Sequence, residues 1–128
     1  MKLCPSQIKY LAAIKELIDN GEKVRCVTIA NHLGVSRPSV SKMLRCLADF
    51  GLLNDSFCYS VELTDSGKAA INELFANYNE IFTFFHKILH LPSDDARQQS
   101  LTFISSFPSL TGDRLADAVR KSINKSKN

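Results

Sequence analysis

Long apolar runs are missing from this sequence of 128 residues. No window approaches the roughly 20 uninterrupted apolar residues that a membrane-spanning helix needs. The opening residues, Met-Lys-Leu-Cys-Pro-Ser, also lack the apolar stretch of a secretory signal peptide. Both absences predict a cytoplasmic protein that has no membrane partner.

The cysteines are far apart in the sequence. The four cysteines are Cys4, Cys26, Cys46 and Cys58, and no two of them form a C-x-x-C pair. This spacing supports neither a zinc ribbon nor a disulfide framework. In a reducing compartment such cysteines are usually small buried hydrophobes, and we expect that role here. The spacing leaves open whether any of these thiols binds a metal or senses redox state.

Catalytic arrangements are also missing from the sequence. It contains no Ser-His-Asp spacing, no glycine-rich phosphate loop and no carboxylate pair outside predicted helix caps. We therefore predict that the chain is not an enzyme and that it needs no cofactor.

What is present indicates a folded protein with an uneven charge distribution. Apolar residues make up 45% of the chain, with eight Phe and no Trp, which predicts folding rather than disorder. The net charge of +3 divides into +4 over residues 1–50, −4 over residues 51–112 and +3 over residues 113–128. This distribution is expected if the N-terminal end meets phosphate groups.

The hydrophobic periodicity predicts a mainly α fold with a small β-hairpin wing. Ser6, Ser36 and Thr64 are predicted helix caps. The order of elements predicts a winged helix-turn-helix DNA-binding domain at residues 1–70 and a helical dimerisation domain at residues 71–128. Helices are predicted over residues 6–20, 27–33, 37–50, 64–90, 93–106 and 111–123, and two short strands over residues 53–63.

The strongest local signal is a helix-turn-helix over residues 29–43. Two helices that cross steeply need a small residue where they touch, and Ala30 supplies it. The tight turn needs a residue that tolerates a left-handed φ, and Gly34 lies four positions later. The apolar positions of the motif are filled by Leu33, Val35, Val40 and Met43.

The third predicted helix is therefore expected to enter the major groove of DNA. Arg37 can pair with guanine, and the serines suit phosphates or either class of base. Arg45 lies one turn further along and is expected to reach the DNA backbone, although a solvated surface role is the alternative. The predicted contact residues are Ser36, Arg37, Ser39, Ser41, Lys42 and Arg45.

Apolar residues cover more than one face of the long predicted helix, so it must be buried on several sides. In a chain of this length a second subunit is the simplest cover, which predicts a homodimer. An intramolecular core and a pocket for an apolar effector are the alternatives. The predicted interface residues are Phe82, Phe85, Leu89, Phe103 and Phe107.

His86 and His90 are four residues apart, a spacing that places both on one helix face and can hold a metal ion. No Cys, Asp or Glu on this helix completes a site at that face. We expect packing or interface histidines, with a metal site as the alternative.

With these elements in place, the chain resembles the iron- and manganese-dependent repressors of the diphtheria toxin repressor type, and most of all their short manganese regulator branch. The resemblance extends from about Gln7 to Val119 without gaps. It rests on Tyr10-Leu11-x-x-Ile14, Val24-Arg25, Ile29-Ala30 through Val35-Ser36, Ser39-Val40-x-Lys42-Met43, Gly51-Leu52, Leu63-Thr64-x-x-Gly67 and Asp113-Arg114-Leu115.

The resemblance implies a homodimer that binds a palindromic operator, with Mn²⁺ or Fe²⁺ ordering the DNA-binding form. The sequence departs from the family at the metal-ligand positions, because these ions prefer carboxylate and imidazole donors. We therefore predict no metal site of the family type. The positions that match the family's ligands are Lys9, Ala12, Asn79, Leu101, Ile104 and Ser105.

The sequence thus predicts a transcription regulator, expected to be a repressor, that binds double-stranded operator DNA as a homodimer without the family's metal. One alternative is a regulator gated by a different metal, thiol or small-molecule site. The other is a helical protein-interaction module that has lost DNA binding.

Overall fold

The computed structural model describes residues 3–126, which are mainly helical. The chain divides into two compact units, the first ending at Glu73 and the second beginning at Leu74. None of the helices within the described residues combines the length and apolar character that crossing a bilayer requires. The helices are α1 (Pro5–Asp19), α2 (Cys26–Leu33), α3 (Arg37–Asp49), α4 (Asp65–Leu74), α5 (Tyr78–Thr83), α6 (Ser93–Ser106) and α7 (Ser109–Ser126).

The N-terminal unit has a core built from the apolar faces of α1, α2 and α3, which pack against one another. Each of these helices repeats its apolar side chains at a spacing of three or four residues, so each buries one face. The segment that follows α3 adds Leu52 and Leu53 to the same core. Fully buried side chains of the three helices are Leu11, Ile14, Ile29, Val40, Leu44 and Leu47.

Three helix starts were predicted from capping residues, and two of them are confirmed. The Ser36 hydroxyl accepts a hydrogen bond of 3.3 Å from the Ser39 amide, and the Thr64 hydroxyl accepts one of 3.0 Å from the Gly67 amide. The predicted cap at Ser6 is wrong, because α1 already begins at Pro5. Proline suits this first position, since an amide there would have no partner within the helix.

The predicted two-stranded hairpin does not form in the part of the chain that the structure describes. A single antiparallel bridge between Leu53 and Leu63 remains. The side chain of Asn54 accepts a hydrogen bond of 3.0 Å from the Glu62 amide and donates one of 2.9 Å to the Ser60 carbonyl. Because this amide group satisfies backbone groups that a strand ladder would use, residues 54–60 form a turn-rich loop instead. We call residues 54–60 the wing loop.

The single long helix predicted over residues 64–90 is wrong as well. Residues 75–77 form a turn between α4 and α5, where the side chain of Asn77 donates a hydrogen bond of 2.6 Å to the Asp113 carboxylate. Asparagine is one of the residues that turns favour. After α5 the chain widens into a π-helical turn at Phe84–Ile88.

The C-terminal unit packs α5, α6 and α7 against one another. Helix α6 begins at Ser93 as predicted, whereas α7 begins at Ser109, earlier than the predicted residue 111. The fully buried positions of this unit are mostly small, which allows the helices to approach closely but buries little large apolar surface. They are Ile81, Ala96, Ser100, Gly112, Ala116 and Val119.

Candidate nucleic-acid interface

The turn between α2 and α3 has the geometry that the sequence predicts. Gly34 ends α2 with a φ of +69°, in the left-handed region, and its amide donates to the Ala30 carbonyl. The Val35 amide donates to the same carbonyl at 3.1 Å. Ala30 is 5% exposed, as expected for the small residue at a helix crossing. The chain therefore reverses tightly enough for α3 to cross α2.

One apolar assignment in this motif is wrong. Val40 is fully buried, but Val35 is 40% exposed. The reason is its place in the extended link between Gly34 and the cap of α3, where a side chain leaves the helix pair instead of pointing into it. Leu33 and Met43 are half-buried.

The N-terminal end of α3 presents polar side chains to solvent. Arg37, Ser39 and Lys42 are exposed, and the first turn of α3 contains no acidic residue. Ser36 is also exposed, while Ser41 is half-buried. The opposite face of α3 holds this end in place through the buried side chains of Val40, Leu44 and Leu47.

Arg45 has a contact that the sequence did not reveal. Its guanidinium carbon lies 5.9 Å from the centre of the Phe57 ring, in a cation–π arrangement. Phe57 is itself 5% exposed, so Arg45 rests on an anchored side chain of the wing loop. In the sequence, the signal for this contact was one aromatic residue, Phe57, in the middle of a polar loop. Only the fold shows that its cationic partner is Arg45.

The wing loop itself carries no Lys or Arg, and it includes Asp55. The aromatic side chain of Tyr59 in this loop is 82% exposed. A loop without cations gains nothing from the counterion release that drives phosphate binding. The basic groups of the candidate interface therefore belong to α3.

The six positions that match the family's metal ligands do not fit Mn²⁺ or Fe²⁺. On α1, Lys9 is exposed and Ala12 is buried. On α5, Asn79 is exposed, and its side chain offers a neutral amide. The α6 positions are half-buried and consist of Leu101, Ile104 and Ser105, of which Ser105 donates its hydroxyl to the Thr102 carbonyl at 3.0 Å. None of these side chains supplies a carboxylate or an imidazole.

His86 and His90 do not share a helix face, so that expectation is wrong. The π-helical turn ends at Ile88, and His90 lies beyond it with a φ of +61°. His86 Nδ1 lies 3.0 Å from the Leu91 carbonyl oxygen, and its ring is 5.2 Å from that of Phe82. Between residues 3 and 126, no group of three or more His, Cys, Asp or Glu side chains is arranged to hold a metal.

The residues predicted for a dimer interface lie within the C-terminal unit. Phe103 stacks on Phe107 with ring centres 4.5 Å apart and meets Phe85 edge-on at 6.4 Å. Phe82 lies elsewhere in an aromatic row, between Tyr78 and His86. The exposed fraction is 53% for Phe107 and 49% for Leu89.

The cysteines are not the buried hydrophobes that their spacing suggested. Cys4 and Cys58 are exposed, and Cys26 and Cys46 are half-buried. Cys4 precedes the first residue of α1, and Cys58 lies in the wing loop, so neither belongs to the apolar face of a helix. Helix periodicity says nothing about such positions.

Comparison with known proteins agrees with this geometry. Residues 2–56 match the family described as iron dependent repressor, N-terminal DNA binding domain. The solved structure of the manganese regulator SloR is 24% identical with a TM-score of 0.75, and the match covers 89% of this chain and 53% of that one. The metal-dependent transcriptional regulator MtsR is 23% identical with a TM-score of 0.77, over 92% of this chain and 55% of that one.

A third solved structure is similar in length to this chain. It is the hypothetical protein SSo2273 from Sulfolobus solfataricus, which is 25% identical with a TM-score of 0.63 over 93% of this chain and 91% of that one. The chain spans about half the length of the SloR and MtsR chains. No curated protein matches this chain significantly. The matched segment and the helix-turn-helix geometry together make residues 2–56 similar to the N-terminal DNA binding domains of iron dependent repressors.

Proposed function

We propose that this chain is a cytoplasmic transcription repressor that binds a palindromic operator in double-stranded DNA as a homodimer. The observation that carries the proposal is the N-terminal end of α3. Exposed Arg37, Ser39 and Lys42 stand there on a helix that is anchored by its buried face. That end belongs to the segment that matches a DNA-binding domain family.

Helix α3 is the element that we assign to the major groove. An arginine at the start of such a helix can donate two hydrogen bonds to guanine, and we assign this role to Arg37. The hydroxyls of Ser36 and Ser39 and the ammonium of Lys42 suit phosphate oxygens, which position the protein without reading sequence. Arg45 sits further along α3 over Phe57, from which we expect contact with the DNA backbone.

The C-terminal unit supports the proposed dimer. It buries mainly small side chains and leaves large apolar ones half-exposed, including Leu89, Phe107 and Leu110. A second subunit that covers this surface would remove it from water, which is favourable in proportion to the apolar area buried. Two-fold symmetry of the protein then predicts a palindromic operator.

We further propose that DNA binding does not require Mn²⁺ or Fe²⁺ at the family's positions. A hard divalent ion needs several oxygen or imidazole donors and negative charge to offset its own. Lys9 is exposed and carries a positive charge, which repels a metal cation. Leu101 and Ile104 have no oxygen or nitrogen atom in their side chains that could bind the ion.

A binding assay on the DNA upstream of the protein's own gene tests the proposal. Fluorescence anisotropy should show saturable binding that is tighter than binding to a scrambled duplex of the same length. Added EDTA, Mn²⁺ or Fe²⁺ should leave the affinity unchanged. Equal affinity for both duplexes would instead favour a protein-interaction module that has lost sequence-specific DNA binding.

A further inference from the structure

The wing loop is joined to the start of α2 by a backbone hydrogen bond. The Val61 amide donates to the Val24 carbonyl at 2.9 Å. Cys58 lies three residues before Val61, and Cys26 lies two residues after Val24, so this hydrogen bond brings two cysteine-bearing segments side by side. Both Val24 and Val61 are 3% exposed, which means that the junction is anchored in the core.

The two thiols differ in their access to solvent. Within the wing loop, the Ser56 carbonyl accepts hydrogen bonds from the Tyr59 amide at 3.0 Å and the Ser60 amide at 3.3 Å, which makes a tight turn around Cys58. Cys58 is exposed at this turn, whereas Cys26 is half-buried at the first position of α2.

Cys58 also acts electrostatically on Cys26. Burial raises the pKa of the Cys26 thiol, the Cys58 thiolate raises that pKa further, and the Arg37 guanidinium lowers it in part. The charged groups that act on Cys26 thus include one in the wing loop and one at the first residue of α3. This agrees with the hydrogen bond that joins the two cysteine-bearing segments.

We propose that Cys26 and Cys58 are a peroxide-responsive thiol pair that closes into a disulfide and fastens the wing loop to the start of α2. Disulfides in a reducing cytoplasm are usually transient and redox-sensing, which is the role we assign to this one. Its regulatory consequence rests on the DNA-binding function proposed above, but formation of the bond does not.

The oxidation proceeds in two steps with hydrogen peroxide as oxidant. The Cys58 thiolate attacks one peroxide oxygen, so that an S–O bond forms, the O–O bond breaks and the departing hydroxide takes up a proton as water. The Cys26 sulfur then attacks the sulfenic sulfur of Cys58, so that an S–S bond forms, the S–O bond breaks and a second water leaves. Two thiols and one peroxide become one disulfide and two waters.

The order of the steps follows from the two environments. An exposed thiol meets the oxidant first, and Cys58 has that exposure. Cys26 is half-buried and has a raised pKa, so it reacts with peroxide less readily and becomes the second thiol of the pair.

Closure of the bond would act on two side chains of α3. A disulfide holds its two Cα atoms about 4.4–6.8 Å apart, so the wing loop must conform to the start of α2. Arg37 is an electrostatic neighbour of Cys26, and Phe57, next to Cys58 in the chain, lies under the guanidinium of Arg45. Restraining the loop therefore changes the surroundings of two side chains that we assign to DNA, and we expect operator affinity to fall.

Peptide mapping tests the disulfide without any DNA. The full chain is treated with hydrogen peroxide, blocked with an alkylating agent and digested, and the thiol linkages are identified by mass spectrometry. We expect a Cys26–Cys58 linkage that dithiothreitol reverses and that is absent in Cys58→Ser and Cys26→Ser. Cys4→Ser is the matched control, because Cys4 is also an exposed cysteine and this variant should form the linkage as the original chain does.

Anisotropy with operator DNA tests the consequence in the same samples. Oxidation should weaken the original chain and Cys4→Ser by about fivefold or more, the lower range of coupled-site effects, and leave Cys58→Ser unchanged. Circular dichroism of each variant establishes that it is folded. A chain that yields only Cys58 sulfenic or sulfinic acid, or that loses no affinity when linked, overturns the switch. Failure of the reduced chain to bind DNA would instead overturn the proposed function, while the peptide map still decides the linkage.

Discussion

At the scale of single residues, Arg37 and Lys42 should contribute to DNA binding in different ways. Both are exposed on α3, one in the first turn and the other further along. A guanidinium makes a planar pair of hydrogen bonds that reads guanine, whereas an ammonium acts on phosphate as a point charge. The same loss of one positive charge is therefore expected to have different consequences at the two sites.

We expect Arg37→Ala to weaken binding to the preferred operator by about 1–3 kcal/mol and to relax base selection at one position, because a bidentate base contact is lost. Selection of binding sites from a randomised pool, followed by anisotropy on the selected duplex, measures both effects. Lys87→Ala serves as the control, since it removes an exposed positive charge from the π-helical turn and not from α3.

Lys42→Ala should instead weaken binding to all duplexes by a similar factor. Loss of one phosphate contact lowers the slope of log K against log salt by about 1. Anisotropy titrations at several salt concentrations measure this slope. Unchanged affinity in both Arg37→Ala and Lys42→Ala would show that α3 is not the DNA-binding face.

At the scale of elements, the contacts at the start of α4 give the physical reason for the motif Leu63-Thr64-x-x-Gly67. The Thr64 hydroxyl donates to the Gly51 carbonyl at 2.6 Å and accepts from the Gly67 amide at 3.0 Å, so one side chain joins the end of the α3 segment to the first turn of α4. Gly67 is buried directly against the backbone of Leu52. The motif Leu63-Thr64-x-x-Gly67 is thus a close contact between a helix and the preceding chain.

We predict that Gly67→Ala destabilises the N-terminal unit by about 1–3 kcal/mol, as overpacking of a tight contact does. A Cβ at this position would overlap the Leu52 carbonyl oxygen and approach the Leu63 side chain, and a backbone carbonyl cannot rotate away as a flexible side chain can. Urea denaturation followed by circular dichroism measures the loss. Ser66→Ala, at the exposed neighbouring position of α4, should change the free energy of unfolding by less than about 0.5 kcal/mol.

At the scale of the whole molecule, we expect a homodimer that depends on the exposed apolar side chains of the C-terminal unit. Phe107 is 53% exposed, so Phe107→Asp should disrupt assembly at little cost to folding of the subunit. Sedimentation velocity at micromolar concentration should show a dimer for the original chain and a monomer for this variant. Tyr59→Asp is the control, because it makes the same kind of change at an 82% exposed aromatic in the wing loop.

The same sedimentation experiment can contradict the dimer prediction in two ways. A stable monomer of the original chain at these concentrations would reject the homodimer. A Phe107→Asp variant that remains dimeric would show that the interface lies elsewhere on the chain.

We also predict that Mn²⁺ and Fe²⁺ do not bind at the family's positions, because Lys9, Ala12 and the α6 residues supply no suitable donors. Calorimetric titration of the reduced chain with either ion should show no stoichiometric binding. A tight, saturable Mn²⁺ site with rising DNA affinity would contradict this prediction, and replacement of His86 and His90 by Ala would then show whether the histidines form it.

The sequence by itself determined the features that depend on local chemistry. The left-handed Gly34 and the caps at Ser36 and Thr64 follow from backbone freedom and from one hydroxyl reaching a nearby amide. Such interactions join residues a few positions apart, so a linear pattern is sufficient to predict them.

Only the tertiary structure decided the features that depend on distant partners. The Asn54 side chain replaces a strand ladder, and Asn77 breaks the long helix where it reaches Asp113, 36 residues away in the chain. The contact of Arg45 with Phe57 and the hydrogen bond between Val61 and Val24 likewise join residues from separate elements. The energy of these contacts depends on distances that arise only when the core has packed, and periodicity carries no information about them.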